Sequence, residues 1–144
     1  MNNQNLHLAS ELRSVLIRLY KKLRKKSVSA EKLSLTERST ISLIYNNGTM
    51  LASELALMEK ITTQSMSQVV NHLFELGLIV KTPSETDKRK VLISLSDTGK
   101  EIIEKARTEK DEWLSDAIAE ALTPEERDAL TKALSALTKL VDFD

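Results

Sequence analysis

The most informative segment of the chain is residues 53–79, with the sequence SELALMEKITTQSMSQVVNHLFELGLI. Apolar residues recur there at steps of three and four on both sides of a short polar break, which is the period of two amphipathic helices. Thr62 precedes the second run and suits an N-cap, and Gly77 follows it and suits a helix end. Two short helices with a tight connection predict a helix-turn-helix.

The residues after this segment predict a β-hairpin. Residues 78–82 read as one strand, and residues 91–95 alternate between the two faces of a second strand. The stretch between them, residues 83–90, is too polar to belong to a core and therefore forms the hairpin loop. A helix-turn-helix followed by a hairpin is a winged helix, which lays its second helix in the major groove of DNA while the hairpin reaches the neighbouring minor groove.

Helical patterns also precede the segment. Ser34 and Glu37 form a capping box that starts one helix, which ends before Gly48. Thr49 is a suitable cap for the short first helix of the helix-turn-helix. Closer to the N-terminus, residues 12–23 carry the apolar stripe of an amphipathic helix.

Helical periodicity returns after Ser96 and persists to the end of the chain, with a second capping box from Thr123 to Glu126. We therefore predict a mainly α fold, a winged helix-turn-helix flanked by further helices. Its three parts are an N-terminal helix region (residues 1–33), a winged lobe with a small β-hairpin wing (34–99) and C-terminal helices (100–144).

Composition excludes several classes of protein. The 144 residues are 41 % hydrophobic but only 3 % aromatic, with three glycines and two prolines, which favours helices over a many-stranded barrel. The absence of cysteine excludes disulfides, cysteine catalysis and thiolate zinc sites, and neither His7 nor His72 lies in a cluster of metal ligands. No phosphate-binding glycine loop or nucleophile motif is present, so we expect no enzyme, no metal and no cofactor.

The location of the protein is predicted from two further observations. The N-terminus lacks the apolar core of a signal peptide, and no apolar run approaches the roughly 20 residues that span a bilayer. We expect a soluble, cytoplasmic protein without membrane contact.

The net charge of zero hides an uneven distribution. Residues 1–40 hold nine basic and three acidic side chains, residues 41–96 hold five of each, and residues 97–144 hold seven basic and thirteen acidic. Five of the six residues 21–26 are basic. A chain polarised in this way indicates a surface that faces a polyanion, although alternating helix faces produce such a pattern too.

The order of elements and two sequence stretches resemble the MarR (multiple antibiotic resistance regulator) family of transcription factors. Residues 53–79 resemble the family's helix-turn-helix, and DKRKVLISLSDTG, residues 87–99, resembles its wing and the start of the next helix. The most specific part is an aspartate two residues before an arginine, followed by an apolar strand and a glycine. The resemblance implies a DNA-binding transcription regulator, most simply a repressor, whose terminal helices interlock with those of a second protomer into a homodimer on a palindromic operator.

Carried over to this chain, the resemblance assigns the wing residues to double-stranded DNA. Arg89 is the side chain that enters the minor groove and Asp87 is the carboxylate that orients it, because a narrow groove concentrates negative potential. The structural alternative is an exposed ion pair in a solvated loop. The predicted wing contacts are Asp87, Lys88, Arg89 and Lys90.

The second helix of the helix-turn-helix is the predicted recognition helix. Its polar residues are able to bind base edges and phosphates, and no acidic residue occurs in residues 61–74 to repel phosphate, although an ordinary polar helix surface is the alternative. The predicted contacts are Thr62, Thr63, Gln64, Ser65, Ser67, Gln68, Asn71 and His72. Since this surface has no Lys or Arg, we expect other cations, Lys81 among them, to supply a strongly salt-dependent affinity.

The resemblance implies that the start of the helix at residue 34 touches the DNA phosphates, and helix N-termini suit anions. The residues concerned are Ser34, which is equally explained as a cap, Thr36 and Arg38, and Lys60 is a further cation expected to neutralise phosphate. A small aromatic or apolar effector is implied by the family, and Tyr20, Tyr45 and Trp113 are the candidates to line its pocket. The alternative for these three aromatic residues is plain core.

Two further alternatives concern the protein as a whole. The terminal helices could form an intramolecular bundle in a monomer rather than a dimer. The chain could also be a protein-interaction adaptor that keeps the winged-helix scaffold without specific DNA binding, since fold alone does not decide function.

Overall fold

The computed structural model describes residues 2–27 and 32–144. The described chain is mainly helical with a small antiparallel sheet, as the sequence predicts. Its elements follow one another as α1 (Asn3–Arg24), α2 (Leu35–Asn47), β1 (Thr49–Leu51), α3 (Ala52–Glu59), α4 (Thr63–Glu75), β2 (Ile79–Pro83), β3 (Val91–Leu95), α5 (Asp97–Ala121) and α6 (Pro124–Val141).

Local capping sets the starts of three helices where the sequence predicts them. The Ser34 hydroxyl accepts a hydrogen bond from the Glu37 amide, and the Ser34 amide donates to the Glu37 carboxylate, so the capping box of α2 is complete. Thr123 and Glu126 form the same box at α6. Thr62 caps α4 by accepting from the Ser65 amide at 3.0 Å.

The prediction that Thr49 caps the short helix was wrong. Thr49 lies in strand β1, which pairs with β3, and the described sheet has the order β1-β3-β2. Helix α3 begins three residues later, and the Leu51 amide donates to the Glu54 carboxylate at 2.9 Å. The cause is pairing, because Met50 faces Ile93 across the sheet and both are buried in the core.

Strand β2 begins one residue later than the sequence predicts. The amide of Leu78 donates to the carbonyl of Leu73, and the amide of Gly77 donates to the carbonyl of Phe74. These two bonds form a Schellman motif, in which Gly77 takes the left-handed conformation at φ 75°. Leu78 therefore completes the end of α4 rather than starting the strand.

The hydrophobic core lies between α2, α3, α4, the sheet and the first turns of α5. Its fully buried side chains are Ile44, Leu55, Met66, Leu73 and Ile93. Helices α1 and α6, by contrast, contain no buried residue although both are amphipathic. The core therefore holds the winged lobe together and leaves the terminal helices with their apolar stripes uncovered.

A tight junction connects the end of α4 to the start of α5. The Ser96 hydroxyl donates to the carbonyl of Gly77 at 2.6 Å and accepts from the amide of Gly99 at 3.0 Å, while the Ser96 amide donates to the carbonyl of Leu78. A Cβ atom at Gly99 would overlap that same Leu78 carbonyl oxygen. The glycine that the sequence pattern singles out is thus required by a close approach of two backbone segments.

Candidate nucleic-acid interface

Helix α4 presents one apolar side to the core and its polar residues to solvent. Met66, Val70 and Leu73 are buried at steps of three and four. Every residue predicted to contact DNA from this helix is exposed: Thr62, Thr63, Gln64, Ser65, Ser67, Gln68, Asn71 and His72. The hydroxyls of Thr62 and Ser65 also bond to each other at 2.9 Å, as part of the helix cap.

His72 contacts an acidic residue from another helix. Its Nδ1 lies 2.7 Å from Oε2 of Glu37, whose other oxygen serves the α2 capping box. Burial raises the pKa of Glu37, but hydrogen bonds from Ser34 and the contact with His72 outweigh this and leave the pKa below its ordinary value. Residues 61–74 contain no acidic residue, yet the fold brings one, Glu37, to the side of α4.

On the other side of α4, Asn71 contacts the wing. Nζ of Lys81, in β2, donates to Oδ1 of Asn71 at 2.8 Å and lies 4.7 Å from the centre of the Phe74 ring. Asn71 and His72 are consecutive, so the same turn of α4 makes one polar contact with β2 and one with α2. Lys81 was predicted only as one of several cations, because nothing in the sequence indicates its partner.

A groove runs between the helix-turn-helix and the wing. Half of its lining residues are apolar and come from β1, α3, α4 and β3. The other half are polar or cationic and come from both sides of the groove: Ser53, Ser67, Asn71, Lys81 and Lys90. Serine, amide and ammonium groups are those that bind phosphate oxygens and base edges. The groove therefore has the chemistry of a surface for a DNA strand.

The wing loop is ordered by its own hydrogen bonds. The Ser84 amide donates to the Lys90 carbonyl at 3.0 Å, and the Lys90 amide donates to the Asp87 carbonyl at 2.9 Å. Oδ1 of Asp87 accepts from both the amide and Nε of Arg89, and these two bonds lower the pKa of Asp87. Arg89 is 91 % exposed while paired in this way. The predicted orienting contact between the two side chains is thus present.

The residues predicted to contact phosphates differ in their availability. Ser34 is occupied as the α2 cap, and Thr36 is half-buried in the first turn. Arg38 turns toward the end of α1, where it donates to the carbonyls of Leu33 and Arg24 and to the Ser27 hydroxyl. Lys60 is exposed in the turn between α3 and α4, with left-handed backbone at φ 57°.

The three predicted pocket aromatics lie in different surroundings. The Tyr45 hydroxyl donates to Glu104 at 3.1 Å, and its ring stacks with the Arg107 guanidinium at 4.4 Å. Trp113 lies beneath the ammonium groups of Lys22 and Lys26, at 5.6 and 5.1 Å from its ring centre. Tyr20 is 56 % exposed on α1. Tyr45 packs partly buried against the hydrophobic core and Trp113 is half-buried, so the core alternative fits these two in part, whereas Tyr20 is exposed.

A separate cavity between α2, α5 and the end of α1 is rich in cations. Its lining residues are Ser27, Leu33, Arg38, Ile41, Ser42, Ile102, Ile103, Ala106, Arg107 and Lys110. Burial lowers the pKa of Lys110, and the nearby Arg38 and Arg107 lower it further against an opposing effect of Asp111. The cavity combines apolar walls with positive charge, and sequence periodicity did not predict it because its cations come from separate elements.

Residues 2–27 and 32–144 contain no group of three or more acidic or histidine side chains that could hold a metal ion. Nor does any helix within them combine the length and apolar character that crossing a membrane requires.

Known proteins resemble the chain along its whole length. Residues 32–90 match the model of the MarR family. An HTH-type transcriptional regulator of Mycobacterium bovis, Mb0904, is 34 % identical over 142 residues, which cover 99 % of this chain and 98 % of that protein. The chain belongs to the MarR family. It is therefore a DNA-binding transcriptional regulator of the helix-turn-helix type.

Solved structures of other regulators share the fold of this MarR-family chain. A transcriptional regulator of Pseudomonas aeruginosa PA01 superposes with a TM-score of 0.89 at 30 % identity, covering 99 % of this chain and all of that one. A mutant of S. aureus MepR bound to an oligodeoxyribonucleotide superposes with a TM-score of 0.70 at 17 % identity, covering 93 % of this chain and 97 % of that one. The predicted winged helix-turn-helix fold of the MarR-family chain is thereby confirmed.

Proposed function

We propose that this MarR-family regulator is a cytoplasmic homodimeric repressor that binds a palindromic operator and is released from it by a small anionic ligand. The observation that carries the proposal is the polar, exposed side of α4 next to an ordered wing whose Arg89 extends into solvent. Both elements lie on one lobe, as the two grooves of a single DNA site require. The oligonucleotide bound to MepR, a relative in fold, also supports DNA as the ligand.

The proposed roles of the interface residues follow from their surroundings. Gln64, Gln68 and Asn71 would face base edges in the major groove, and Arg89 would enter the minor groove while Asp87 limits its rotation. Lys60, Lys88 and Lys90 are exposed cations for the phosphates. Ser34 and Arg38 would act by shaping the start of α2 rather than by touching DNA.

Homodimer formation is supported by the terminal helices. Neither α1 nor α6 has a buried residue, so the apolar stripes of both helices are open to solvent. Leu16 and Leu19 of α1 and Leu134 and Leu140 of α6 are each between 38 % and 60 % exposed. Apolar stripes of this length are normally covered in a stable protein. A second copy would cover them and would also supply the second recognition helix that a palindrome needs.

Release by an effector is supported by the cavity between α2 and α5. The cavity is small, about 70 Å³, but its apolar walls and its three cations, Arg38, Arg107 and Lys110, have the chemistry to hold the carboxylate end of an aromatic acid. Arg38 also bonds to the carbonyl of Arg24 in α1, so a ligand that draws Arg38 away would alter how α1 meets the lobe. We place the effector here rather than among Tyr20, Tyr45 and Trp113.

The test is selection of bound duplexes from a random pool, followed by binding measurements on the selected operator with and without benzoate as a simple aromatic acid. We expect a palindrome with half-sites about one helical turn apart. Arg89→Ala should weaken binding and reduce its salt dependence, whereas Lys139→Ala, a loss of the same charge on the polar side of α6, should leave binding unchanged. A pool that yields no enriched sequence would favour the protein-interaction adaptor instead.

A further inference from the structure

Strand β2 reaches the recognition helix through one charged side chain. Lys81 lies in the middle of β2, opposite the buried Ile93 of β3. Its ammonium contacts Asn71 and Phe74, which are three residues apart and therefore neighbours on the surface of α4. The strand fixes one end of the lysine and the two contacts on α4 fix the other, so the ammonium has a defined position.

This contact determines which way the Asn71 carboxamide points. A lysine ammonium only donates hydrogen bonds, whereas a carboxamide has one accepting oxygen and one donating NH2 group. If the amide were rotated by half a turn, its NH2 group would lie about where the oxygen now lies, 2.8 Å from the ammonium. Both groups only donate hydrogen bonds, so they would repel each other. The oxygen must therefore face Lys81, and the amino group of this exposed residue is directed away from it.

The orientation changes which base Asn71 recognises. Asparagine binds adenine in a bidentate manner, with Oδ1 accepting from N6 and Nδ2 donating to N7. In this protein one of the two lone pairs of Oδ1 accepts a charge-assisted bond from Lys81, and the positive ammonium at that oxygen repels the N6 amino donor of adenine, so the bidentate arrangement is disfavoured. The amide NH2 group, directed away from Lys81, instead matches guanine, whose major-groove edge presents two acceptors, O6 and N7.

We propose that Lys81 is a specificity-determining residue that acts through Asn71: by holding the amide oxygen, it makes Asn71 select guanine over adenine at the base pair it faces. The inference rests on the proposed function, in which α4 reads an operator. Lys81 is thus a positioning residue, and Asn71 is the residue that touches the base.

The experiment compares full-length wild type with Lys81→Met, a variant that keeps the unbranched stem but removes the donors. Selection from a random duplex pool should give guanine at one position of each wild-type half-site and adenine at the same position for the variant. Affinities are then measured on two operators that differ only there. We expect the wild type to prefer guanine by about tenfold, the order of magnitude of one good base contact, and the variant to lose or reverse that preference.

Three further variants separate positioning from general loss of charge. Lys90→Met removes the same charge from the same groove, and it should weaken binding to both operators equally. Asn71→Ala should abolish the preference, and adding Lys81→Met to it should not change the ratio of affinities further. Lys81→Arg, which retains a cationic group that only donates, should keep guanine.

The outcomes distinguish this inference from the function on which it rests. If Lys81→Met still selects guanine and merely loses affinity, as Lys90→Met is expected to do, Lys81 is a phosphate contact and the inference is overturned. If the wild type enriches no sequence, both the inference and the proposed function fail. Thermal unfolding of Lys81→Met, compared with the wild type, shows whether a lost preference comes from a folded protein.

Discussion

Oε2 of Glu37 lies 2.7 Å from Nδ1 of His72, although the two residues are 35 positions apart in the chain. Oε1 of the same carboxylate accepts from the Ser34 amide and closes the α2 capping box. One buried side chain therefore joins the start of α2 to the recognition helix α4. A change at Glu37 should affect both the stability of the lobe and the position of α4.

The first prediction concerns acid stability and Glu37→Gln. The pKa of Glu37 is lower in the folded protein than in the unfolded chain, so its contribution to the free energy of unfolding is full above the ordinary pKa and is lost as pH falls through the lowered one. Glutamine can still close a capping box but does not titrate. We expect wild type to be more stable than Glu37→Gln at pH 7 and the difference to shrink between about pH 5 and pH 3.

Urea unfolding at several pH values measures this difference. Glu126→Gln is the matched control, because Glu126 fills the same capping-box position in α6 and is exposed. At pH 7 it should cost less stability than Glu37→Gln, because Glu126 is exposed and Glu37 is buried. A stability difference between wild type and Glu37→Gln that stays constant from pH 7 to pH 3 would contradict the prediction.

The second prediction concerns Gly99→Ala, whose added methyl group would overlap the Leu78 carbonyl oxygen. Backbone cannot move aside as a flexible side chain does, so we expect a loss of about 3 kcal/mol or more in the free energy of unfolding, at or beyond the upper end of overpacking costs. Gly77→Ala is the control, since Gly77 has the left-handed backbone of a Schellman motif, at φ 75°, and an added Cβ there would meet nothing within 4 Å. It should cost only about 1–2 kcal/mol of backbone strain. Equal losses in the two variants would argue against a clash.

The third prediction concerns Thr40, which is fully buried on α2. Within the described residues its hydroxyl has no hydrogen-bond partner. Valine has nearly the same shape and no polar atom to desolvate, so Thr40→Val should raise the free energy of unfolding by about 1 kcal/mol. Thermal and urea unfolding measure the change, and the half-buried Thr36 in the same helix provides a control valine variant without that gain. A destabilised Thr40→Val would show that the hydroxyl makes a favourable contact.

The fourth prediction concerns self-association through α6. Leu134 is 56 % exposed on the apolar stripe of a helix that has no buried residue. If a second copy covers it, Leu134→Asp should raise the dimer dissociation constant about 100-fold or more, because two leucine side chains lose their burial. Lys132→Asp, on the opposite side of the helix, should leave association unchanged. Sedimentation of a stable wild-type monomer at micromolar concentration would refute the dimer.

Features specified by neighbouring residues were predictable from the sequence, and features specified by distant contacts were not. Ser34, Thr62 and Thr123 cap helices through bonds that span three positions, so the pattern of residue types was sufficient to predict them. Strand β1 is three residues long and exists because Met50 pairs with Ile93, and no local pattern reports that pairing.

The same distinction holds for the candidate site. The exposed residues of α4 follow from helix periodicity, and the Asp87–Arg89 pair was implied by the resemblance to the MarR family. The contacts of Glu37 with His72 and of Lys81 with Asn71 join separate elements, and Arg38 turns away from the predicted interface to hold the end of α1. Only the fold shows which polar residues are already engaged by other parts of the chain.

The close approach of Gly99 to Leu78 would make α5 act on α4 as a lever if α5 were tilted. Helix α5 has 25 residues, so it is about 37 Å long, and a tilt of about 5° moves its far end by about 3 Å. The pivot is the junction where two backbones touch with no side chain between them to absorb movement. A slight rotation of α5 about this junction would therefore displace the last turn of α4. A displacement of the far end of α5 would in this way become a small change in the angle between α5 and α4.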